Sequence, residues 1–206
     1  MAESTDAPPQ GDLPSPGATV GDDGDTPGYK APKQVDLKTL QDLDADDESL
    51  VKYKQQLLGA TANVKDEGGP NIILQKLILS VADRPDLELD LQGDLSKFKK
   101  NPLAIKEGCT YIIRIQFRVQ REIVSGLRYV QLTYRKGIKV DTSKHMVGSY
   151  GPKTEPHVFS TKPDEAPSGM MGRGSYTVKS KFTDDDKNVY LEWEWGLEIK
   201  KDWPAS

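Results

Sequence analysis

Cysteine is nearly absent from this chain. Cys109 is the only one in 206 residues, so no intrachain disulfide can form, and a β-rich chain without one fits a reducing compartment. Histidine is almost as scarce, with only His145 and His157, and neither belongs to a metal-binding pair on a helix. Cys109 opens a strand and lies in no recognised nucleophile motif. A phosphate-cradling glycine loop of either common pattern is also missing. Catalysis therefore finds little support, and the chain reads as a binding protein, not an enzyme, with no cofactor and no metal.

Long apolar runs are lacking too. No stretch approaches the ~18 residues of a membrane span, and Met1 to Asp6 has neither the basic nor the apolar region of a signal peptide. The expectation is a soluble, cytoplasmic protein without stable membrane insertion. Apolar residues make up 35% of the chain and charged residues 29%, which is low in apolar content for a fully folded chain of this size. Part of it should not fold by itself.

Positive charge is missing from the front. Residues 1–28 hold six carboxylates, five prolines and five glycines but no Lys or Arg, and cannot bury enough apolar surface to offset ordering entropy. They read as a disordered acidic tail. The net charge of −4 thus hides an acidic front and a slightly basic remainder, with no basic stripe of the kind that nucleic acid demands.

Residues 29–66 change character. Val35, Leu37, Leu40 and Leu43 suggest one short amphipathic helix, and Leu50, Tyr53 and Leu57 a second. Asp46, Asp47 and Glu48 put negative charge at the positive end of the second helix, and Gly59 stands where a C-cap glycine belongs. The acidic cluster from Asp44 to Glu48 lacks the glycine and the ligand spacing of a calcium loop, so capping is the preferred reading.

From residue 67 to 206 the period becomes two. Candidate strands are 72–81, 87–91, 109–120, 127–134, 138–140, 146–150, 158–161, 175–182 and 189–199, separated by turn signals such as Lys136-Gly137 and Asp184-Asp185-Asp186-Lys187. Eight or nine short strands with no helix between them predict an all-β, antiparallel sandwich of one domain. Parity assigns to its inner face Leu77 and Leu79; Tyr111, Ile113, Ile115, Phe117 and Val119; Val130, Leu132 and Tyr134; Tyr176, Val178 and Phe182; and Trp193, Trp195, Leu197 and Ile199. Trp193 and Trp195 point the same way, so they either fill a core or floor an apolar cavity. The adjacent acids Asp184 to Asp186 read first as a solvated turn, with cation binding as the minor alternative.

Many words of the sequence occur in the order found in one family: Asp46-Asp47-Glu48-Ser49-Leu50, Leu89-Asp90-Leu91, Lys106-Glu107-Gly108, Arg121-Glu122-Ile123-Val124-Ser125-Gly126, Thr133-Tyr134-Arg135-Lys136-Gly137, Met146-Val147-Gly148-Ser149-Tyr150-Gly151-Pro152, Phe182-Thr183-Asp184-Asp185-Asp186-Lys187 and Trp193-Glu194-Trp195. From about residue 29 to residue 203 the chain resembles the Rho GDP-dissociation inhibitors. The resemblance implies an immunoglobulin-like sandwich, preceded by the disordered tail and a short helical regulatory arm. That sandwich would take the geranylgeranyl group of a prenylated, GDP-bound Rho-family GTPase of Rho or Rac type, in a one-to-one complex of an otherwise monomeric protein.

The same resemblance implies residue roles. Leu79, Tyr111, Ile123, Met171, Val178, Trp193 and Trp195 match positions of the prenyl pocket, and Leu103 stands where a pocket aromatic is common. Asp47, Ser49 and Tyr53 fall at switch-contacting positions of the arm. Lys139, Asp141 and Asp186 match the rim that meets the GTPase body, and Asp164 with Glu165 faces the basic segment before the prenylated cysteine. Gly172 stands where alanine is usual. Two other readings keep the sandwich: a general carrier of prenylated proteins with little GTPase selectivity, and a scaffold module with a solid core.

Overall fold

The structure is a computed structural model, and it describes residues 47–50, 52 and 67–203. The expected tail, most of the arm and Tyr53 lie outside those residues. Among the described residues ten strands form two sheets: β1 (Ile72–Val81), β2 (Leu87–Asp90), β3 (Leu103–Lys106), β4 (Thr110–Val119), β5 (Val124–Arg135), β6 (Ile138–Tyr150), β7 (His157–Ser160), β8 (Asp164–Glu165), β9 (Gly174–Thr183) and β10 (Val189–Lys200). One sheet runs β2-β1-β4-β7, with β8 also paired to β4, and the other runs β3-β10-β9-β5-β6. The inner faces of the two sheets share one buried apolar cluster, as in a sandwich of the immunoglobulin-like kind.

Two expectations about elements need correction. The sandwich is not wholly antiparallel, because β3 pairs with β10 in parallel, Leu103 opposite Leu197 and Ile105 opposite Ile199. β3 has only four residues and pairs across more than ninety positions of sequence, so no hairpin signal announces it. Nor are the strands free of helix between them: α1 (Lys97–Lys100) and α2 (Gly169–Gly172) are single turns, too short for a 3.6-residue period to register. Phe98 pins α1 to the core.

The predicted segments 138–140 and 146–150 are one strand, β6. Its middle, Asp141 to His145, reads as loop because it is polar, and it is polar because β6 is an edge strand with one face in water. Lys136 and Gly137 join it to β5 with φ of 49° and 81°, the pair of positive angles that a two-residue type I′ hairpin needs.

Parity also fails in β5. Leu127 and Tyr129 are buried in the main cluster, whereas Val130 and Leu132 form a small separate cluster with Tyr134. Bulges between Val124 and Arg128 reset the alternation. The more apolar row thus faces outward, where the register flanks Val130 with Lys181 and Lys144, and Leu132 with Lys179. Long lysine stems can cover apolar surface while their ammonium groups stay wet. In β1 a bulge between Leu74 and Lys76 carries the inward row from the even positions Ile72 and Leu74 to the odd positions Leu77 and Leu79.

Candidate functional site

The inward rows of β9 and β10 set the character of the interior. Opposite pairs are Trp193 with Ser180, Trp195 with Val178 and Leu197 with Tyr176, and β5 adds Tyr129, Gln131 and Thr133 level with Phe182, Ser180 and Val178. This row is not purely apolar. The Trp195 indole N–H donates to Ser180 Oγ at 3.0 Å, that oxygen shares a 2.9 Å hydrogen bond with the Tyr129 hydroxyl, and Tyr129 donates to Gln131 Oε1 at 3.0 Å. Ser180 therefore joins three strands through side chains alone. Trp193 stacks on Tyr129 with ring centres 6.1 Å apart, and its buried N–H has no hydrogen-bond partner among the described residues. Burial pushes the Tyr129 phenol well above its ordinary pKa, so it stays a neutral donor.

Of the predicted pocket residues, Leu79, Tyr111, Val178, Trp193 and Trp195 lie in one buried cluster, with Leu103 half-buried against it. Ile123 and Met171 do not join them. Ile123 is half-buried just ahead of β5, at the end of the sheet where Val124 pairs with Tyr150. Met171 is 84% exposed on α2, at the other end. Leu79, Leu103, Tyr111, Val178 and Trp195 lie toward the end of the sandwich at Tyr111 and Gly174, whereas Trp193, opposite Ser180, lies past the middle of its strand. A cavity of about 540 Å³ opens elsewhere, on the outer face of the second sheet, between Leu95, Ser96, Lys99 and Lys100 on one side and Lys179, Glu192 and Glu194 on the other. It touches the assembled set only at Trp193. Its carboxylate Glu194 accepts from Lys99 at 2.7 Å and Lys179 at 3.1 Å, and the Lys99 hydrogen bond chiefly holds the Glu194 pKa down.

At the Tyr111 end the interior meets solvent through a polar rim. Tyr111 donates to Asp164 Oδ2 at 3.0 Å, and its phenol pKa is raised, first by burial and then by the Asp164 charge. Asp141 on β6 accepts from Ser143 at 2.8 Å, and Asp164 and Glu165 are exposed on β8. His145 stacks on Tyr129 at 5.9 Å and approaches Phe159 at 6.4 Å. Its pKa is lowered by burial, an effect that Asp164 and Asp141 oppose. Sequence reasoning missed Tyr129, Gln131 and His145; the alternation that places Asp141 and His145 in one row of β6 was the available signal.

The predicted rim is split. Asp141 stands level with Thr133 and Val178, whereas Asp186 sits in the β9–β10 turn beyond Thr183. Five residues of strand separate those levels, about 17 Å, so only a large partner can touch both. Lys139 is exposed near Asp141 on β6. In the turn itself Asp184 is buried and accepts from Asn188 N, Asn188 Nδ2 and Tyr190 at 2.9, 2.9 and 2.6 Å. Its oxygens are thus taken up by donors of the turn and of the start of β10, and among the described residues no cluster is suited to a metal ion.

Only the start of the second predicted arm helix is described. Asp47 Oδ1 accepts from Ser49 N at 2.8 Å and Leu50 N at 3.2 Å, which is N-cap geometry. Asp47 and Ser49 are both exposed.

Comparison with known proteins bears on the chain as a whole. The family model described as RHO protein GDP dissociation inhibitor matches residues 18–202, beginning inside the segment read as the acidic tail. A human protein named Rho GDP-dissociation inhibitor 1 is 55% identical over 176 residues, covering 85% of this chain and 86% of that one. A bovine protein named Rho GDP-dissociation inhibitor 3 is 46% identical over 178 residues, covering 86% and 79%.

Proposed function

Because the chain belongs to the Rho GDP-dissociation inhibitor family, we propose that it binds prenylated, GDP-bound Rho-family GTPases, slows their GDP release, extracts them from membranes and holds them in the cytosol. It acts as a regulator, as its relatives are named, and carries out no catalysis of its own. Among the described residues no helix is long and apolar enough to cross a membrane, which suits a carrier that visits membranes without spanning them. The partner binds one to one, and the three segments 1–28, 29–66 and 67–206 act as tail, regulatory arm and prenyl-binding sandwich.

One observation carries this reading to the level of residues: Leu79, Tyr111, Val178, Trp193 and Trp195, matched to the pocket by family position, are gathered in a single buried cluster, with Asp164, Asp141 and Glu165 at the adjoining rim. A geranylgeranyl chain has about twenty carbons, and each acyl carbon moved from water into an apolar site is worth roughly 0.8 kcal/mol. Burial on the order of 10 kcal/mol before ordering costs competes with a bilayer. Lipid burial alone does not distinguish one GTPase from another. Asp47, Ser49 and Tyr53 of the arm therefore supply contacts to the switch regions, while Lys139, Asp141 and Asp186 meet the GTPase body and Asp164 and Glu165 the basic segment before the lipid.

The test is a titration with farnesyl- and geranylgeranyl-cysteine peptides, followed by the intact GTPase, using the full chain and a form lacking residues 1–59. The full chain should bind the GTPase much more tightly than the peptide and block GDP release. The truncated form should keep peptide affinity and lose the block. Equal affinity of both forms for the GTPase would instead identify a general prenyl-protein carrier, and absence of any peptide-induced change in tryptophan fluorescence would identify a solid core.

A further inference from the structure

The most exposed large apolar side chains include Met170 at 85%, Met171 at 84% and Ile138 at 70%, and the fold brings all three to one end of the second sheet. Ile138 is the first residue of β6 and pairs with Arg135 across the tight hairpin. Arg135 reaches from there to α2, donating to the carbonyls of Met171 and Arg173. The two tips are thus tied into one edge by a single guanidinium.

The methionine turn is held firmly for a segment that shows its side chains to water. Gly169 N donates to Glu107 Oε2 at 2.7 Å, Arg173 makes a two-pronged pair with Glu107 at 2.6 and 2.7 Å, and the Tyr176 hydroxyl donates to the Gly172 carbonyl at 2.7 Å. A Cβ on Gly172 would stand 2.9 Å from the Pro167 carbonyl carbon, so the turn is also closely packed from behind. Four hydrogen bonds from Glu107, Arg135 and Tyr176 fix the turn's backbone, and among the described residues nothing covers Met170 or Met171. Lys136 and Lys139 are exposed on the adjoining hairpin.

We infer that Met170, Met171 and Ile138 form a shallow membrane-docking edge that presents the Tyr111 end of the sandwich to a phospholipid surface. The inference rests on the proposed function, since only a protein that withdraws a lipid from a bilayer needs its interior aimed there. Its support is continuity with the rim at Tyr111 and Asp164, the rigid backbone beneath the exposed methionine side chains, and the exposed cation Lys136 beside Ile138, which suits anionic headgroups. Exposed apolar tips beside a cation bind at the headgroup boundary through buried apolar area plus charge attraction. The occupant is the bilayer itself; a docked protein is an outcome of the test.

The experiment uses the full chain, with vesicles of phosphatidylcholine and phosphatidylserine, and the double variant Met170→Asp/Met171→Asp alongside Ile138→Asp, a change on a separate element. Both variants should lower vesicle binding by about threefold or more and slow extraction of a prenylated GTPase from the same vesicles. Affinity for geranylgeranyl-cysteine peptide in solution should not change. Unchanged vesicle binding in both variants, or no vesicle binding by the parent chain up to millimolar lipid, overturns the inference. A matching fall in peptide affinity in solution overturns it in favour of pocket lining by Met171, and a fall in affinity for a GTPase without lipid overturns it in favour of a protein interface. Failure of the parent chain to bind the peptide at all would count against the proposed function and leave the vesicle comparison readable.

Discussion

The indole N–H of Trp195 donates to the hydroxyl of Ser180 at 3.0 Å, and the same oxygen is hydrogen-bonded to Tyr129. All three residues are buried. Ser180→Ala would leave the Trp195 donor unpaired in the interior, while Tyr129 keeps its bond to Gln131. A buried donor left without a partner costs about 1–3 kcal/mol. Urea unfolding of the variant should show that loss with an unchanged m-value; a loss under a few tenths would mean that the hydroxyl does not anchor the inner face.

Trp195 itself tests whether the inner face is both core and pocket. Trp195→Ala should cost about 3–5 kcal/mol in stability, as for other large buried aromatics. It should also weaken geranylgeranyl-cysteine binding and slow GTPase extraction under conditions where the variant is still folded. Calorimetry gives the first number and peptide titration the second. Full stability loss with unaltered peptide affinity would place the lipid elsewhere.

Acid should destabilise the fold in two stages. Burial lowers the pKa of His145 and of His157, so between their folded values and the ordinary value near 6.5 the unfolded chain binds more protons. Stability then falls as pH drops below about 6.5. The Glu107 carboxyl is held down first by its hydrogen bond to Arg173, so its contribution is present above the ordinary glutamate range and is lost as pH falls through the depressed folded value. His145→Phe with His157→Phe should flatten the upper stage, and Glu107→Gln the lower one, in chemical unfolding followed across pH. A parent profile that is level from neutral to about pH 5 would contradict the histidine assignment.

Gly196 is fixed by a close approach, not by backbone conformation. A Cβ there would lie 2.8 Å from Pro102 Cβ and 3.1 Å from Pro102 Cα, and a proline ring has little room to give way. Gly196→Ala should cost about 1–3 kcal/mol through overpacking, read as a lowered melting temperature. Because the strain falls where β3 joins β10, amide exchange should quicken first in Leu103 to Lys106.

Alternation and turn chemistry determined much of this protein from sequence. They fixed the sandwich, most strand boundaries, the hairpin at Lys136-Gly137 and the shared face of Trp193 and Trp195, because each depends on neighbours within a few residues. Collinear words determined the family. Tertiary structure decided what depends on distant contacts: the parallel pairing of β3, the outward turn of Val130 and Leu132 after bulges that break the two-residue period, and the polar hub of Ser180, Tyr129 and Trp195. It also decided where the family's site residues stand. Leu79, Tyr111, Val178, Trp193 and Trp195 converge because inward rows of four strands face one interior, whereas Ile123 and Met171 lie at opposite ends of a sheet, and Met171 faces water on a turn whose backbone is held from below.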